Sequence, residues 1–226
     1  MRIERLKKIQ STNEYVKKFI KKREDVIVVA DEQSAGMGTK GRSFISEKGG
    51  LYFTKLSFHN NFLASNSWQI MAGAALAVVK TLLAFGIDAK IKWPNDIIVN
   101  GKKICGILIT NSFCGQNVDY SIVGIGLNVN NQIASEIQDI ATSMKEALGD
   151  EVNLESVFLT LTLNLSSCAD LNEYRAYSAV IGKKLTVIRG ENSFESLAED
   201  ILPNGALKLS NGELLYAGEL NLKIKI

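Results

Sequence analysis

Pro94 stands at the end of an alternating stretch, Lys90-Ile91-Lys92-Trp93, and a short way before Asn100-Gly101. Proline has no N–H to give to a neighbouring strand and locks its own φ, so the chain must turn there. Asn-Gly between the β-branched runs 96–99 and 102–110 is the strongest short hairpin signal a sequence offers. These two features predict three consecutive strands that reverse direction twice. The sheet is therefore antiparallel in this region, and a doubly wound fold built on strand, helix, parallel strand is disfavoured. Period two places Lys90 and Lys92 on one face. The hairpin then brings Lys92, Asp96 and Lys103 towards a common site. Two ammoniums beside a carboxylate suit a reaction between two anions: the cations cancel repulsion, and the acid can hold a metal.

The remaining pattern extends this into an α+β chain with a mixed, mostly antiparallel sheet flanked by helices. Ser11-Thr12-Asn13-Glu14 fits a capping box and opens a helix that buries Val16, Phe19 and Ile20. Residues 26–30 form a continuous apolar run, as in a buried strand. Residues 31–50 are glycine-rich and irregular, 51–58 form an aromatic and β-branched strand, and 67–85 form a long apolar helix closed by Gly86. Residues 121–129 form a strand carrying Gly124 and Gly126, and one helix is expected from 154 to about 174. From residue 182 the pattern changes to short strands, with turn signals at Gly190-Glu191-Asn192, Pro203-Asn204-Gly205 and Asn211-Gly212, the look of a small barrel. The predicted division is 1–180 and 181–226.

Bulk properties exclude more than they assign. A formal net charge of +2 gives no reason to expect bulk nucleic-acid or membrane-surface binding. The basic run at residues 1–8 reads as a solvated face. Three cysteines, Cys105, Cys114 and Cys168, with no Cys-x-x-Cys pair, argue against a disulfide framework or a zinc site and for a reducing, cytoplasmic setting. The first ten residues are mostly charged, unlike a secretory signal. The longest apolar run, 70–79, falls short of a membrane span. His59, the single histidine, sits in a polar loop and is given no role.

Gly36-Met37-Gly38-Thr39-Lys40-Gly41 satisfies G-x-G-x-x-G to the letter, but no helix opens after it, as a dinucleotide fold requires. It also misses the phosphate-loop pattern by one residue, with Arg42 where lysine must stand. Glycines without a helix still let bare N–H groups approach an anion and let a loop fold over a ligand. Lys40 and Arg42 add charge, and a guanidinium can grip phosphate with two hydrogen bonds.

Set in order, these pieces resemble the biotin–protein ligase family across most of the chain. Ser11-Thr12-Asn13 is similar to its Ser-Thr-Asn. Gln33, Gly36, Gly38, Gly41 and Arg42 resemble its adenylate loop. Lys92-Trp93-Pro94-Asn95-Asp96 is its intact core motif, Lys103 to Leu108 resembles its Lys-hydrophobic-small-Gly-Ile-Leu, and Gly124-Ile125-Gly126-Leu127-Asn128 its Gly-x-Gly-hydrophobic-Asn. The tail, with Gly205-Ala206-Leu207 and Gly218-Glu219-Leu220, resembles the family's SH3-like C-terminal unit.

The resemblance implies a class II synthetase-like fold and a two-step ligation. Biotin would be activated by ATP with Mg2+, then passed to a lysine of the biotin carboxyl carrier domain of a carboxylase. It implies catalytic roles for Lys103, Lys92, Asp96 and Arg42. Ser11, Thr12, Asn13, Gln33, Gly36, Lys103, Gly106 and Gly124 would bind biotin. Gly38, Lys40, Gly41, Arg42, Phe44, Lys92, Asn95, Gly126 and Asn128 would bind nucleotide, and Asp96 the metal. The family commonly places arginines at the positions of Met37 and Thr39, so weaker retention of the adenylate is expected here. The short stretch before Ser11 leaves no room for an N-terminal DNA-binding domain, so no specific DNA contact is expected; nor is a membrane partner, and a homodimer is left open. Rival readings are a lipoate–protein ligase and a non-catalytic module whose tail barrel binds a peptide or single strand.

Overall fold

The computed structural model describes residues 1–165, 169–189, 191–216 and 221–224, the side chains of Lys40, Arg189 and 221–224 excepted. Cys168, Gly190 and Gly218-Glu219-Leu220 lie outside the described residues. Seven strands, β1 (Arg2–Ile9), β2 (Val26–Gln33), β3 (Leu51–Phe58), β4 (Lys90–Lys92), β5 (Asp96–Val99), β6 (Lys102–Cys114) and β7 (Asn117–Leu127), form one sheet in the order β1-β2-β3-β7-β6-β5-β4. β1 runs parallel to β2; every other pair is antiparallel.

The two turns expected from sequence are present. Trp93-Pro94 separates β4 from β5, and Asn100 and Gly101 take φ of 49° and 79°, the left-handed pair that a two-residue hairpin demands. A second tight turn was not foreseen: Cys114 pairs with Asn117 across Gly115, whose φ is 58°. It carries β6 four residues past the expected end and starts β7 earlier.

β2 is buried on both faces. Ile27 and Val29 join the main core with Phe53, Ile107 and Ile125 under α2 (Trp68–Ala84), while Val26 and Val28 join a smaller cluster with Val16, Phe19, Leu56 and Ile122 under α1 (Thr12–Val16). The helical stretch Ala64–Ala84, which ends in α2, is long and apolar enough to cross a membrane by composition, but nine residues of α2 are buried inside the protein.

Two expectations are corrected and one is extended. Residues 2–9 form edge strand β1, not merely a solvated run; its charges pair with Glu4, Glu32 and Glu155 while Leu6 packs inward. The helix after Ser11 lasts five residues and tightens into a 3-10 turn at Lys17–Lys22. The helix expected from 154 to 174 is two, α4 (Leu154–Asn164) and α5 (Leu171–Ala176), because Asp170 accepts from Asn172 N–H and starts a new helix; α3 (Met144–Leu148) precedes them.

The C-terminal strands β8 (Lys184–Arg189), β9 (Asn192–Ile201), β10 (Leu207–Leu209), β11 (Leu214–Leu215) and β12 (Asn221–Ile224) pair in the order β11-β10-β9-β8-β12. Among the described residues they form one five-stranded antiparallel sheet, the small C-terminal β unit expected from sequence. Leu185, Val187, Ala198, Ile201 and Leu207 belong to the same apolar cluster as Trp93 and Leu82, so one core runs through both sheets.

Candidate active site

Register sets the site. Lys92 pairs with Asp96, Asp96 with Gly106, Gly106 with Gly126, and Gly126 with Tyr52. Partners across adjacent strands share a face, so these residues lie on one rung across five strands, on the face opposite α2. A bulge at Ile97/Ile98 decides what that face offers. The two-residue turn sets Lys103 opposite Ile98, on the face of Asp96. The extra residue then puts Gly106, rather than Cys105, opposite Asp96. Ile104 and Cys105 turn into the core, each 0% exposed, and burial pushes the Cys105 thiol well above its usual range although Lys103 pulls it down. Lys103 Nζ sits 2.7 Å from Asp96 Oδ1 and 6.0 Å from the Phe44 ring centre. Lys92 has no ion-pair partner among the described residues.

Glycines make the floor. A Cβ at Gly126 would come within 2.6 Å of the Phe44 ring, one at Gly106 within 3.1 Å of Lys103 Nζ, and one at Gly124 within 2.5 Å of Asn13 Oδ1. Thr12 and Asn13 reach over this floor from α1. Gln33 Oε1 accepts from Thr12 N–H and Thr12 Oγ1 at 2.8 and 2.9 Å, and Gln33 Nε2 donates to Ser46. Thr54 Oγ1 lies 2.8 Å from both Thr12 Oγ1 and Asn13 Oδ1; its one proton serves one of them at a time. The cleft so bounded has a volume of about 460 Å³, partly open to solvent.

Of the residues expected from sequence, Thr12, Asn13, Gln33, Gly38, Phe44, Asn95, Lys103, Gly106, Gly124 and Gly126 line this cleft. Asn95 does so while its Nδ2 donates to Ile107 O and its carbonyl accepts from Ile107 N–H. Others lie elsewhere. Ser11 is buried as the N-cap of α1. Gly36 backs the loop, where a Cβ would meet Phe44 O at 2.3 Å. Gly41 and Arg42 are exposed, and Arg42 turns back onto Thr39. The Lys40 side chain lies outside the described part. Met37 and Thr39 both line the cleft.

A second cleft of about 780 Å³ opens beyond Lys103 and Phe44, walled by Ile45, Ile133, Ile137 and Ile140 and including Asn128 and Asn131. Asn128 donates to Thr142 O and accepts from Asn131. Sequence reasoning missed Asn131 and this apolar wall, and also Thr54. A magnesium ion carried by a nucleotide needs only one or two protein carboxylates. Asp96 fits that demand, and no group of three acidic, histidine or cysteine side chains gathers among the described residues.

Comparison places this arrangement among known proteins. Bifunctional ligase/repressor BirA of Bacillus subtilis is 38% identical over 144 residues, 62% of this chain and 44% of that protein. The chain thus spans less than half of that relative. The biotin--[acetyl-CoA-carboxylase] ligase of Mycobacterium tuberculosis is 28% identical over 202 residues, 83% of this chain and 74% of that one. The Aquifex aeolicus biotin protein ligase, solved in complex with biotin and ATP, superposes with a TM-score of 0.83 at 28% identity and covers 99% of both chains. A model of the biotin/lipoate A/B protein ligase family matches residues 6–128. That span takes in α1, the glycine loop and every strand around the cleft, and the chain belongs to the biotin/lipoate A/B protein ligase family.

Proposed function

We propose that the chain is an ATP-dependent biotin–protein ligase. The observation that carries this is the Lys103–Asp96 pair at one end of a floor of glycines, with a hydroxyl and amide wall at the other. A ring bearing both hydrogen-bond donors and a carbonyl suits Thr12, Asn13 and Thr54. The glycines let Phe44 and Asn13 settle onto the sheet and shape a narrow slot for a flat bicycle, whose carboxylate would meet Lys103. The Aquifex relative, similar over the whole chain, was solved with biotin and ATP.

On this reading a carboxylate oxygen of biotin attacks the α-phosphorus of ATP. The bond to the bridging oxygen breaks, and pyrophosphate leaves. An acceptor lysine nitrogen then attacks the carbonyl carbon of the mixed anhydride. Its C–O bond breaks, AMP departs, and the amine gives up its proton. Lys103 neutralises the carboxylate, and Lys92, on the rung beside Asp96, meets phosphate. Asp96 would hold magnesium, which would offset phosphate charge when bound. The apolar second cleft takes the nucleotide base beside Phe44 and Asn128. The acceptor is the carrier domain of a biotin-dependent carboxylase. We also divide the chain at 180/181, with the C-terminal sheet as a second structural unit that shares the core of the first.

Labelled biotin offered with ATP, magnesium and a carrier domain tests the reading. Transfer to the carrier is the expected result; pyrophosphate release with lipoate but not biotin would replace it with the lipoate reading. Melting curves with each acid distinguish the two without turnover, since a ligand that binds only the folded state raises the midpoint.

A further inference from the structure

The tip of the β9–β10 hairpin, residues 202–206, inserts between two tryptophans next to the reacting groups. Trp93 Nε1 donates to Gly205 O at 2.9 Å, and Trp93 is 3% exposed. On the other side the Trp68 ring lies so close that a Cβ on Gly205 would fall 1.2 Å from Trp68 Cδ1. Gly205 also has a φ of 84°, which any side chain resists. Trp68 packs edge-on against Tyr174, with ring centres 4.7 Å apart, and Tyr174 Oη donates to Pro94 O at 3.1 Å. Arg175 fastens the same hairpin from α5, donating to Ile201 O and pairing with Asp200.

Trp93 and Pro94 are thus fixed from both flanks, and Asn95 and Asp96 follow directly. Asn95 is tied in both directions to Ile107, and Asp96 to Lys103. The contacts run without a gap from the C-terminal sheet through the turn to the ammonium–carboxylate pair. A displacement of about 1 Å at reacting groups costs up to about a hundredfold in rate.

We infer that the hairpin tip is a positioning element for the reaction and that Gly205 and Trp93 are positioning residues: through the turn at Pro94 they set where Asp96 and Lys103 stand. This rests on the ligase reading above. In it, the C-terminal sheet acts on the site by holding the Trp93–Asp96 turn in place rather than by touching substrate.

The test compares the full-length wild-type chain with Trp93→Phe, which keeps the bulk and loses the donor, and Gly205→Ala, which displaces Trp68. Biotin-dependent exchange of pyrophosphate into ATP is measured at a temperature where circular dichroism shows each variant folded. The expected result is a kcat lower by about tenfold or more, a higher magnesium concentration for half-activation, and a biotin KM within about twofold of wild type. Amide exchange at Ile107, whose N–H bonds the Asn95 carbonyl, should quicken in both variants. Folded variants with wild-type kcat, magnesium response and Ile107 exchange would overturn the proposal. A wild type inactive with biotin would sink the ligase reading instead, and the Ile107 exchange would still decide whether the hairpin tip holds the turn.

Discussion

Lys103 is the residue on which two lines of reasoning meet. It is the cation of the Asp96 pair, and it borders both clefts. Truncating it should therefore harm activation rather than folding. Lys103→Ala is expected to lower kcat/KM for pyrophosphate exchange by about a hundredfold or more, with a melting temperature near wild type, because the side chain is partly exposed. Thr39 tests a different charge. It lines the cleft, and on the ligase reading a cation there would face the adenylate phosphate, so Thr39→Arg should slow the release of free biotinyl-AMP in the absence of acceptor; an unchanged release rate would show that retention does not depend on this position. His59 concerns stability alone. Burial lowers its pKa, with Asp25 opposing and Lys55 reinforcing, and it lies 2.8 Å from Ser121 Oγ. The unfolded chain then binds the extra proton first as pH falls below about 6.5, so this residue removes stability on acidification. In His59→Gln the loss of unfolding free energy between about pH 7.5 and pH 5.5 should be smaller than in wild type, as read by urea titration.

At the scale of elements, the Asn100-Gly101 hairpin is the most exposed to a backbone test. Gly101→Val forces a β-branched residue to a φ of 79°, costing roughly 1–3 kcal/mol and lowering the urea midpoint. This hairpin was legible in the sequence because its signal is local: two turn residues between two apolar runs. The same holds for β3 and α2, whose limits came within a residue or two. β1 was not legible, because its inward residues are few and its charges are those of an edge. The division into α4 and α5 hung on one cap, Asp170. The site shows the same boundary. Thr12, Asn13, Gln33, Lys103, Gly38, Gly106, Gly124 and Gly126, all on the cleft, announced themselves by type and order. Thr54 did not, since it reaches Asn13 only through the register of β3 on β7. Nor did the bulge at Ile97/Ile98, which no residue type near it marks. Arg42 was legible as a cation, but not its turn back onto Thr39, which the loop's geometry sets.

At the scale of the molecule, the common core predicts one unfolding event. Side chains of β8, β9 and β10 pack in the same cluster as α2 and Trp93, so calorimetry should give a single transition whose van't Hoff and calorimetric enthalpies agree. Two separated transitions would mean that the C-terminal sheet melts on its own. The rung that carries Lys92, Asp96, Gly106, Gly126 and Tyr52 continues through Ala30 to Leu6, from one edge of the sheet to the other. Strand lengths are consequently far less free to drift than loop lengths. Adding or dropping one amino acid within β6 or β7 would rotate everything beyond it by half a turn, sending bulky Ile107 or Ile125 into the ligand's seat and a bare glycine beneath the long helix.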